Sequence, residues 1–233
     1  MRFKEFIDID SLRHAKIDEK PVKNYKGDYK NLDIAKPSSN GSDKTYQELN
    51  DMQDMFKDRN EVIEKSVKDH DLEVGYAVKQ YLKNNKLDYK ESDVNKIADI
   101  GGGIVRYYKN KFERVRPYQL AEALKMKFDH MPLESNSMKS PAYPSGHSLQ
   151  SRLIAEYYAE QYPEHKKGLI AAAEETGKGR IYAGWHYPSD HEAAVKLAKQ
   201  IYPNITMRKT FKESIIDIPR RTYAPKVFDD ADT

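Results

Sequence analysis

The chain has 233 residues, of which 40 are basic and 37 acidic, so its net charge is +3. This length is sufficient for one domain with a hydrophobic core, and so small a charge does not indicate a protein that binds a nucleic acid polymer. The absence of cysteine excludes disulfides and thiolate metal sites.

The sequence contains no candidate membrane span. No segment approaches the roughly 20 consecutive apolar residues that a span requires. The first residues carry scattered charges and lack the apolar core of a secretory signal. We therefore expect a cytoplasmic protein without a membrane span.

The first half of the chain divides into an irregular arm and a series of helices. Residues 1–44 show no hydrophobic period and contain a cluster of proline, serine and glycine that is typical of turns. From Thr45 onward, apolar residues recur at steps of three and four, as in amphipathic helices. Asn60 is a candidate cap between two helices, and further helical patterns run over 72–82 and onward from Ser92.

The helix that starts near Ser92 contains three consecutive glycines, residues 101–103. Each glycine costs roughly 1 kcal/mol relative to alanine inside a helix. We interpret the three as a site of close helix packing, with a kink or a break between two helices as the alternatives.

The second half continues the helical pattern and ends in a charged, proline-containing tail. Helices are predicted over 118–126, after Gly146, over 166–176 and over 190–202, with a loop over 127–143. No segment shows the alternation of a β-strand. The sequence therefore predicts an all-α protein with a single helical domain over 45–203, an irregular N-terminal arm over 1–44 and an extended C-terminal tail over 204–233.

A histidine and a carboxylate lie close together before the last predicted helix. Pro188 disfavours helical conformation at the residue before it, and Ser189 and Glu192 form a predicted capping box. We therefore expect His186 on a loop and Asp190 in the first helical turn, where a carboxylate can orient an imidazole. An oriented histidine is suited to nucleophilic attack, although a single pair of this kind is more often a surface or capping pair.

Two other segments contribute groups that suit a phosphate. Pro144-Ser145-Gly146-His147 combines a hydroxyl, a glycine that lets an anion approach the backbone, and a second histidine at a helix start. Lys109, Arg116 and Arg180 are cations that can stabilise the charge of a transferred phosphoryl group. Each group alone is more typical of an ordinary turn or surface, so the interpretation depends on their joint occurrence.

The combined pattern, Lys-x6-Arg-Pro, Pro-Ser-Gly-His and Arg-x5-His-x3-Asp, lies within residues 109–190. It resembles the superfamily of type 2 phosphatidic acid phosphatases, bacterial class A non-specific acid phosphatases and vanadium haloperoxidases. The resemblance covers about a third of the chain and implies an all-α fold with the site between helices. It also implies that phosphate is bound by Lys109, Arg116, Ser145, Gly146 and Arg180.

The resemblance assigns the catalytic steps to three further residues. It implies that His186 is the nucleophile and forms a phosphohistidine, and that Asp190 orients it. It implies that His147 is the general acid and then the base that activates water. The chain departs from the pattern at Gly179, where the family usually has serine. It also shows no export signal, so we expect an intracellular substrate, with nucleotides and pyrophosphate bonds among the candidates.

The sequence thus predicts a metal-independent phosphatase of phosphomonoesters that uses no cofactor and is inhibited by vanadate. The alternatives are a vanadium haloperoxidase, with vanadate as cofactor, and a non-catalytic phosphate-binding protein. No metal site is expected, because His186, Asp190 and His191 lack a fourth ligand and lie beside three cations. The expected partner is a small phosphorylated molecule, and a homo-oligomer formed through the terminal arms stays an open alternative. Trp185 is expected to pack beneath the nucleophile, and the remaining histidines are interpreted as surface groups: His14, His70, His130 and His165.

Overall fold

The computed structural model describes residues 9–132 and 135–208. Within these ranges the chain forms eight α-helices and no β-strand, which confirms the predicted all-α class. The helices are α1 (Asp43–Met55), α2 (Glu61–Leu72), α3 (Tyr76–Asn84), α4 (Glu91–Phe112), α5 (Pro117–Ala123), α6 (Gly146–Gln161), α7 (Lys166–Tyr182) and α8 (Pro188–Ile201). Each of the eight is too short or too polar to cross a membrane.

Helix α6 lies at the centre of the described fold and packs against α4, α7 and α8. The largest core cluster buries Ile104 of α4, Leu153 and Ile154 of α6, Leu169 of α7 and Leu197 of α8. Full burial of such a side chain stabilises the fold by about 1.5–3 kcal/mol. Because these four helices or the loops beside them carry the predicted site residues, their packing determines where those residues meet.

The three glycines lie within helix α4, which is not broken there. A Cβ atom at Gly101 would lie 3.0 Å from the side chain of Gln150 in α6, and one at Gly103 would lie 2.9 Å from Val22 in the N-terminal arm. The glycines therefore let α6 and the N-terminal arm pack closely against α4, which agrees with the interpretation of a close packing site. The alternative of a break between two helices is wrong.

Two helix boundaries in the first half have clear local causes. The Asn60 side chain accepts hydrogen bonds from the backbone N–H groups of Val62 and Ile63, at 3.0 and 3.1 Å, and so caps α2 as predicted. The helix predicted over 72–82 in fact begins at Tyr76, because Gly75 adopts a φ of 78° between α2 and α3. This left-handed conformation interrupts the helix at little steric cost for glycine.

Helix α7 continues beyond the predicted end at 176 and reaches Tyr182. Gly177 and Gly179 lie inside it, where they serve packing: a Cβ atom at Gly177 would lie 2.1 Å from the ring of His191 in α8. The extension places Arg180 on the last turn of a helix, with its side chain buried.

The N-terminal arm, described from residue 9, packs along α4. Asn110 of α4 holds Ile17 through two hydrogen bonds, accepting from its N–H at 2.9 Å and donating to its carbonyl at 2.8 Å. Farther along the arm, Lys26 donates its N–H to the carbonyl of Asn204. The predicted tail lies outside the described residues beyond 208, and the predicted domain boundaries stay a prediction.

Candidate active site

The residues of the three predicted segments converge beside the start of α8. Lys109 at the end of α4, Arg116 before α5, Arg180 at the end of α7, and the pair His186 and Asp190 are all buried. His147, in the first turn of α6, is partly exposed. The arrangement thus brings two imidazoles and three cations into one region from stretches that are far apart in sequence.

His186 lies between a carboxylate and a guanidinium. Its Nδ1 lies 3.2 Å from Asp190 Oδ2, and its Nε2 lies 3.3 Å from Arg116 Nη1. Since a guanidinium can only donate, Nε2 must accept this hydrogen bond and Nδ1 must carry the ring proton that Asp190 accepts. The contacts therefore select the neutral tautomer whose lone pair is on Nε2, on the side of the cations.

The Asp190 carboxylate also caps helix α8. Its Oδ2 accepts a hydrogen bond from the backbone N–H of Tyr187 at 2.9 Å. The predicted capping box of Ser189 and Glu192 is wrong, because the helix begins at Pro188 and Tyr187 is the N-cap residue. Asp190 occupies the third helical position and performs the capping role itself, so one carboxylate fixes both the helix start and the imidazole.

Two of the cations are held by the loop before α6. Arg116 donates from Nε to the carbonyl of Ser140 at 2.7 Å and from Nη1 to the carbonyl of Trp185 at 2.8 Å. Lys109 donates to the carbonyl of Pro141. These contacts of Arg116 and Lys109 are made to neutral carbonyl oxygens, which orient both side chains.

The third cation, Arg180, has an acidic partner from α2. Its Nη1 lies 2.6 Å from Asp71 Oδ1, and Ser135 donates to the same carboxylate oxygen at 2.9 Å. The guanidinium also lies over the ring of Trp185, with its central carbon 4.3 Å from the centroid. Trp185 is fully buried beside the site, as expected.

Burial and mutual repulsion shift the titration of these groups. Burial lowers the pKa of His186 well below 6.5, and the three nearby cations lower it further. Burial is also the largest cause of the strongly lowered pKa of His147, followed by the charge of Arg180. Burial and then the charge of Arg116 lower the pKa of Lys109 well below 10.5. Burial and the neighbouring cations thus disfavour every additional positive charge in the site.

Ser145 and Gly146 lie at the start of α6, as the sequence analysis expected. Ser145 is the buried N-cap residue, and its hydroxyl accepts a hydrogen bond from Ser148 at 2.8 Å. Its backbone N–H donates to the carbonyl of Asp190 at 3.1 Å, which ties the start of α6 to α8. Gly146 is the first helical residue, and the N–H groups of a first turn lack acceptors within the helix. Their phosphate contacts stay a prediction.

Sequence reasoning missed three charged groups next to the site. Asp71 pairs with Arg180, and Arg114 and Glu48 form a buried network with Asp190. No local pattern distinguishes Asp71 or Glu48 from the other acidic residues on α2 and α1. Arg114 does stand two residues before Arg116 in the first motif, which was a signal that could have drawn attention to it.

Of the four histidines interpreted as surface groups, one is buried and the other three are partly buried. His70 is buried, at 4% exposure, next to Tyr76, so its assignment to the surface is wrong. His14 is partly buried and forms a hydrogen bond with Gln119. Its pKa is lowered mainly by burial and also by the charge of Arg116. His191 pairs with Glu174 at 2.8 Å. Among the described residues no group of acidic residues and histidines could hold a metal ion.

Comparison with known proteins gives matches to phosphatases. The sequence pattern of the PAP2 superfamily matches residues 97–198, a range that includes every predicted site residue. The non-specific acid phosphatase of Providencia stuartii is 24% identical over 160 residues, which cover 65% of this chain and 63% of that protein. The non-specific acid phosphatase of Salmonella typhimurium is 27% identical over 114 residues, which cover 47% of this chain and 43% of that protein. The chain thus spans less than two thirds of the length of these relatives.

Among solved structures, a transmembrane PAP2-type phosphatidylglycerolphosphate phosphatase from Bacillus subtilis matches with a TM-score of 0.46 and 18% sequence identity. The match covers 75% of this chain and 89% of that chain.

Proposed function

We propose that this chain, whose residues 97–198 match the sequence pattern of the PAP2 superfamily, belongs to that superfamily and is a metal-independent phosphatase that hydrolyses phosphomonoesters through a phosphohistidine. The observation that carries the proposal is the orientation of His186. Its Nδ1–H is held by Asp190, and the lone pair on Nε2 lies on the side of the buried cations. A nucleophile that is deprotonated and directed at an anion-binding region is what phosphoryl transfer to nitrogen requires.

In the first step the cations bind the phosphoryl oxygens and His186 Nε2 attacks phosphorus. An N–P bond forms as the ester P–O bond breaks, and the leaving oxygen takes a proton from His147. Charge that develops on the equatorial oxygens is stabilised by Lys109, Arg116 and Arg180. Asp190 stabilises the positive charge that the imidazole of His186 acquires.

In the second step a water molecule replaces the leaving group. His147, now neutral, accepts a proton from this water as its oxygen attacks phosphorus, and the P–N bond breaks. Inorganic phosphate leaves, His186 returns to its neutral form, and His147 is again protonated. The cycle needs neither a metal nor another cofactor, and vanadate should inhibit it by adopting the pentacoordinate geometry of the transferred phosphorus.

The nature of the relatives supports a broad substrate range. The curated proteins with the matches above are named non-specific acid phosphatases, and we propose the same reaction class for this chain, with nucleotides among its substrates. The two alternatives, a vanadium haloperoxidase and a non-catalytic phosphate-binding protein, are less well supported because none of these matches names either activity.

The test compares hydrolysis of p-nitrophenyl phosphate by the wild type and His186→Ala. Removal of the nucleophile should lower kcat by at least about 1,000-fold, and a labelled phosphoenzyme, trapped by alkaline quenching, should be absent from the variant. His165→Ala is the matched control, because His165 lies near Glu164 and outside the site. Wild-type activity in His186→Ala would refute the proposal. Halide oxidation with vanadate and peroxide, or phosphate binding without turnover, would favour one of the alternatives.

A further inference from the structure

We propose that Arg114, supported by Glu48, is a positioning residue that holds the Asp190 carboxylate in the rotamer that orients His186. This inference rests on the proposed function, since it concerns the same nucleophile. Arg114 would act through Asp190 and would contact neither the phosphate nor the leaving group.

The Asp190 carboxylate uses its two oxygens for different partners. Oδ2 receives the Nδ1–H of His186 and the backbone N–H of Tyr187. Oδ1 receives Nη1 of Arg114 at 2.7 Å. The guanidinium therefore holds the carboxylate oxygen that the imidazole does not use, and a rotation of the carboxylate would break contacts on both oxygens at once.

Arg114 is itself fixed by contacts on three sides. Nη2 lies 2.7 Å from Glu48 Oε2, Nη1 also donates to Ser189 Oγ at 2.8 Å, and the guanidinium carbon lies 3.8 Å from the centroid of the Tyr187 ring. The side chain of Arg114 is 1% exposed. A planar guanidinium group with these partners is held in one orientation, which the flexible ammonium group of a lysine would not reproduce.

Glu48 extends this network from α1 to the first turn of α8. Its Oε2 pairs with Arg114, and its Oε1 accepts the backbone N–H of Ser189 at 3.0 Å. The residues that flank Asp190 in the first turn are thus held by both members of the pair. Glu48 also balances the charge of Arg114, so that the network of these two groups and Asp190 keeps one net negative charge beside the imidazole.

The burial of Arg114 suggests that this residue has a role in addition to packing. Removing a guanidinium from water is costly, and Arg114 Nε has no hydrogen-bond partner among the described residues. Replacement of a buried ion pair by apolar residues of similar volume is often neutral or stabilising. Stability alone therefore does not require an arginine here, whereas control of the carboxylate that orients His186 does.

The main test measures kcat and KM separately for Arg114→Gln and Arg114→Lys. The hydrogen bonds described above for Lys109, Arg116 and Arg180 are made to groups other than Arg114, Glu48 and Asp190. We therefore expect KM to stay within about twofold while kcat falls by about 10–100-fold in Arg114→Gln, as for other groups that orient catalytic residues. Lysine keeps the positive charge but lacks the planar guanidinium, so kcat should fall less in Arg114→Lys than in Arg114→Gln. Unchanged kcat in a folded Arg114→Gln protein, or an effect on KM alone, would overturn the proposal.

A double-mutant cycle separates positioning from general damage. In the Asp190→Asn background the oriented carboxylate is gone, so Arg114→Gln should lower kcat by less than about twofold further. Arg152→Gln is the matched control, because Arg152 joins Glu156 to Glu174 without contacting Asp190, and its kcat should stay at the wild-type value. Additive losses in the cycle, or an equal loss in Arg152→Gln, would contradict a positioning role.

A structural readout keeps this test independent of the proposed function. In wild-type protein labelled with ¹⁵N-histidine, the His186 signals should show the proton on Nδ1, and in Arg114→Gln a mixture of tautomers should appear. Should Arg114→Gln fail to fold, Glu48→Gln removes the support of Arg114 and should give the same mixture. If the wild type hydrolyses no phosphomonoester, only the proposed function fails, whereas an unaltered tautomer in the variants refutes the positioning role.

Discussion

The stability of the protein without added phosphate should fall as the pH is lowered through 6.5, and the two histidines of the site should cause a measurable part of this loss. His147 and His186 both have a pKa lowered well below 6.5, first through burial and then through nearby positive charge. An unfolded chain takes up a proton at each histidine near pH 6.5, whereas the folded site does not. Protonation therefore favours the unfolded state, and stability is present above this pH and lost below it.

The magnitude follows from the difference in bound protons. Between pH 7.5 and 5.5, a histidine that titrates at 6.5 only when unfolded lowers the free energy of unfolding by about 1.4 kcal/mol. The two site histidines together should contribute roughly 2.7 kcal/mol. The pKa values of His14 and His70 are also lowered mainly by burial, so these residues add to the stability that the wild type loses at low pH. The informative quantity is therefore the difference in this loss between the wild type and a variant that lacks the two site histidines.

The assay is urea unfolding at pH 7.5, 6.5 and 5.5, followed by the fluorescence of Trp185, the single tryptophan of the chain. The double variant His147→Gln/His186→Gln should lose less stability than the wild type over this range, by roughly 2.7 kcal/mol. Equal pH dependence in the double variant and the wild type would refute the conclusion that both histidines stay neutral in the folded protein over this pH range.

Three further predictions address different parts of the molecule. Asn60→Ala should lower the free energy of unfolding by about 1 kcal/mol in urea titrations, because two N–H groups of α2 lose their acceptor; no loss would contradict the cap. Arg116→Lys should lower kcat/KM for p-nitrophenyl phosphate at least about tenfold, because lysine cannot reproduce the planar guanidinium contacts to Ser140, Trp185 and His186; wild-type kinetics would contradict this role. Hydrolysis should be unchanged after dialysis against EDTA, and its loss with recovery on adding Mg²⁺ or Zn²⁺ would contradict the metal-independent mechanism.

Local signals in the sequence were sufficient for most of the helices. The apolar period predicted α4, α6 and α8 to within a few residues, since these helices each bury a face in the core. The end of α7 was missed because Gly177 and Gly179 look like a helix end in sequence. In the fold they are sites where α8 and α2 approach closely, and packing outweighs the low helix propensity of glycine.

The candidate site was predictable as a set of residues, and its supporting charges were not. The spacing of His186 and Asp190 determines a contact within one loop and one helical turn, so sequence alone can suggest it. The partners of Arg180 and Arg114 come from α2 and α1, far away in the chain, and any of 37 acidic residues could have filled those positions. Only the packing of α1 and α2 against the site selects Asp71 and Glu48.

The charge distribution of the site suggests how the two histidines would acquire the opposite roles proposed for them. Both have a strongly lowered pKa, which suits the proposed nucleophile and does not suit the proposed general acid. A phosphate dianion bound among the cations would offset the repulsion that acts on both rings. In the proposed mechanism His186 stays deprotonated at Nε2, the nitrogen that would attack phosphorus, whereas His147 would be free to take up the proton that the leaving oxygen needs. We infer that substrate charge, rather than the protein alone, would make His147 an acid, so the pKa of His147 should be higher in the phosphate complex than in the protein without phosphate.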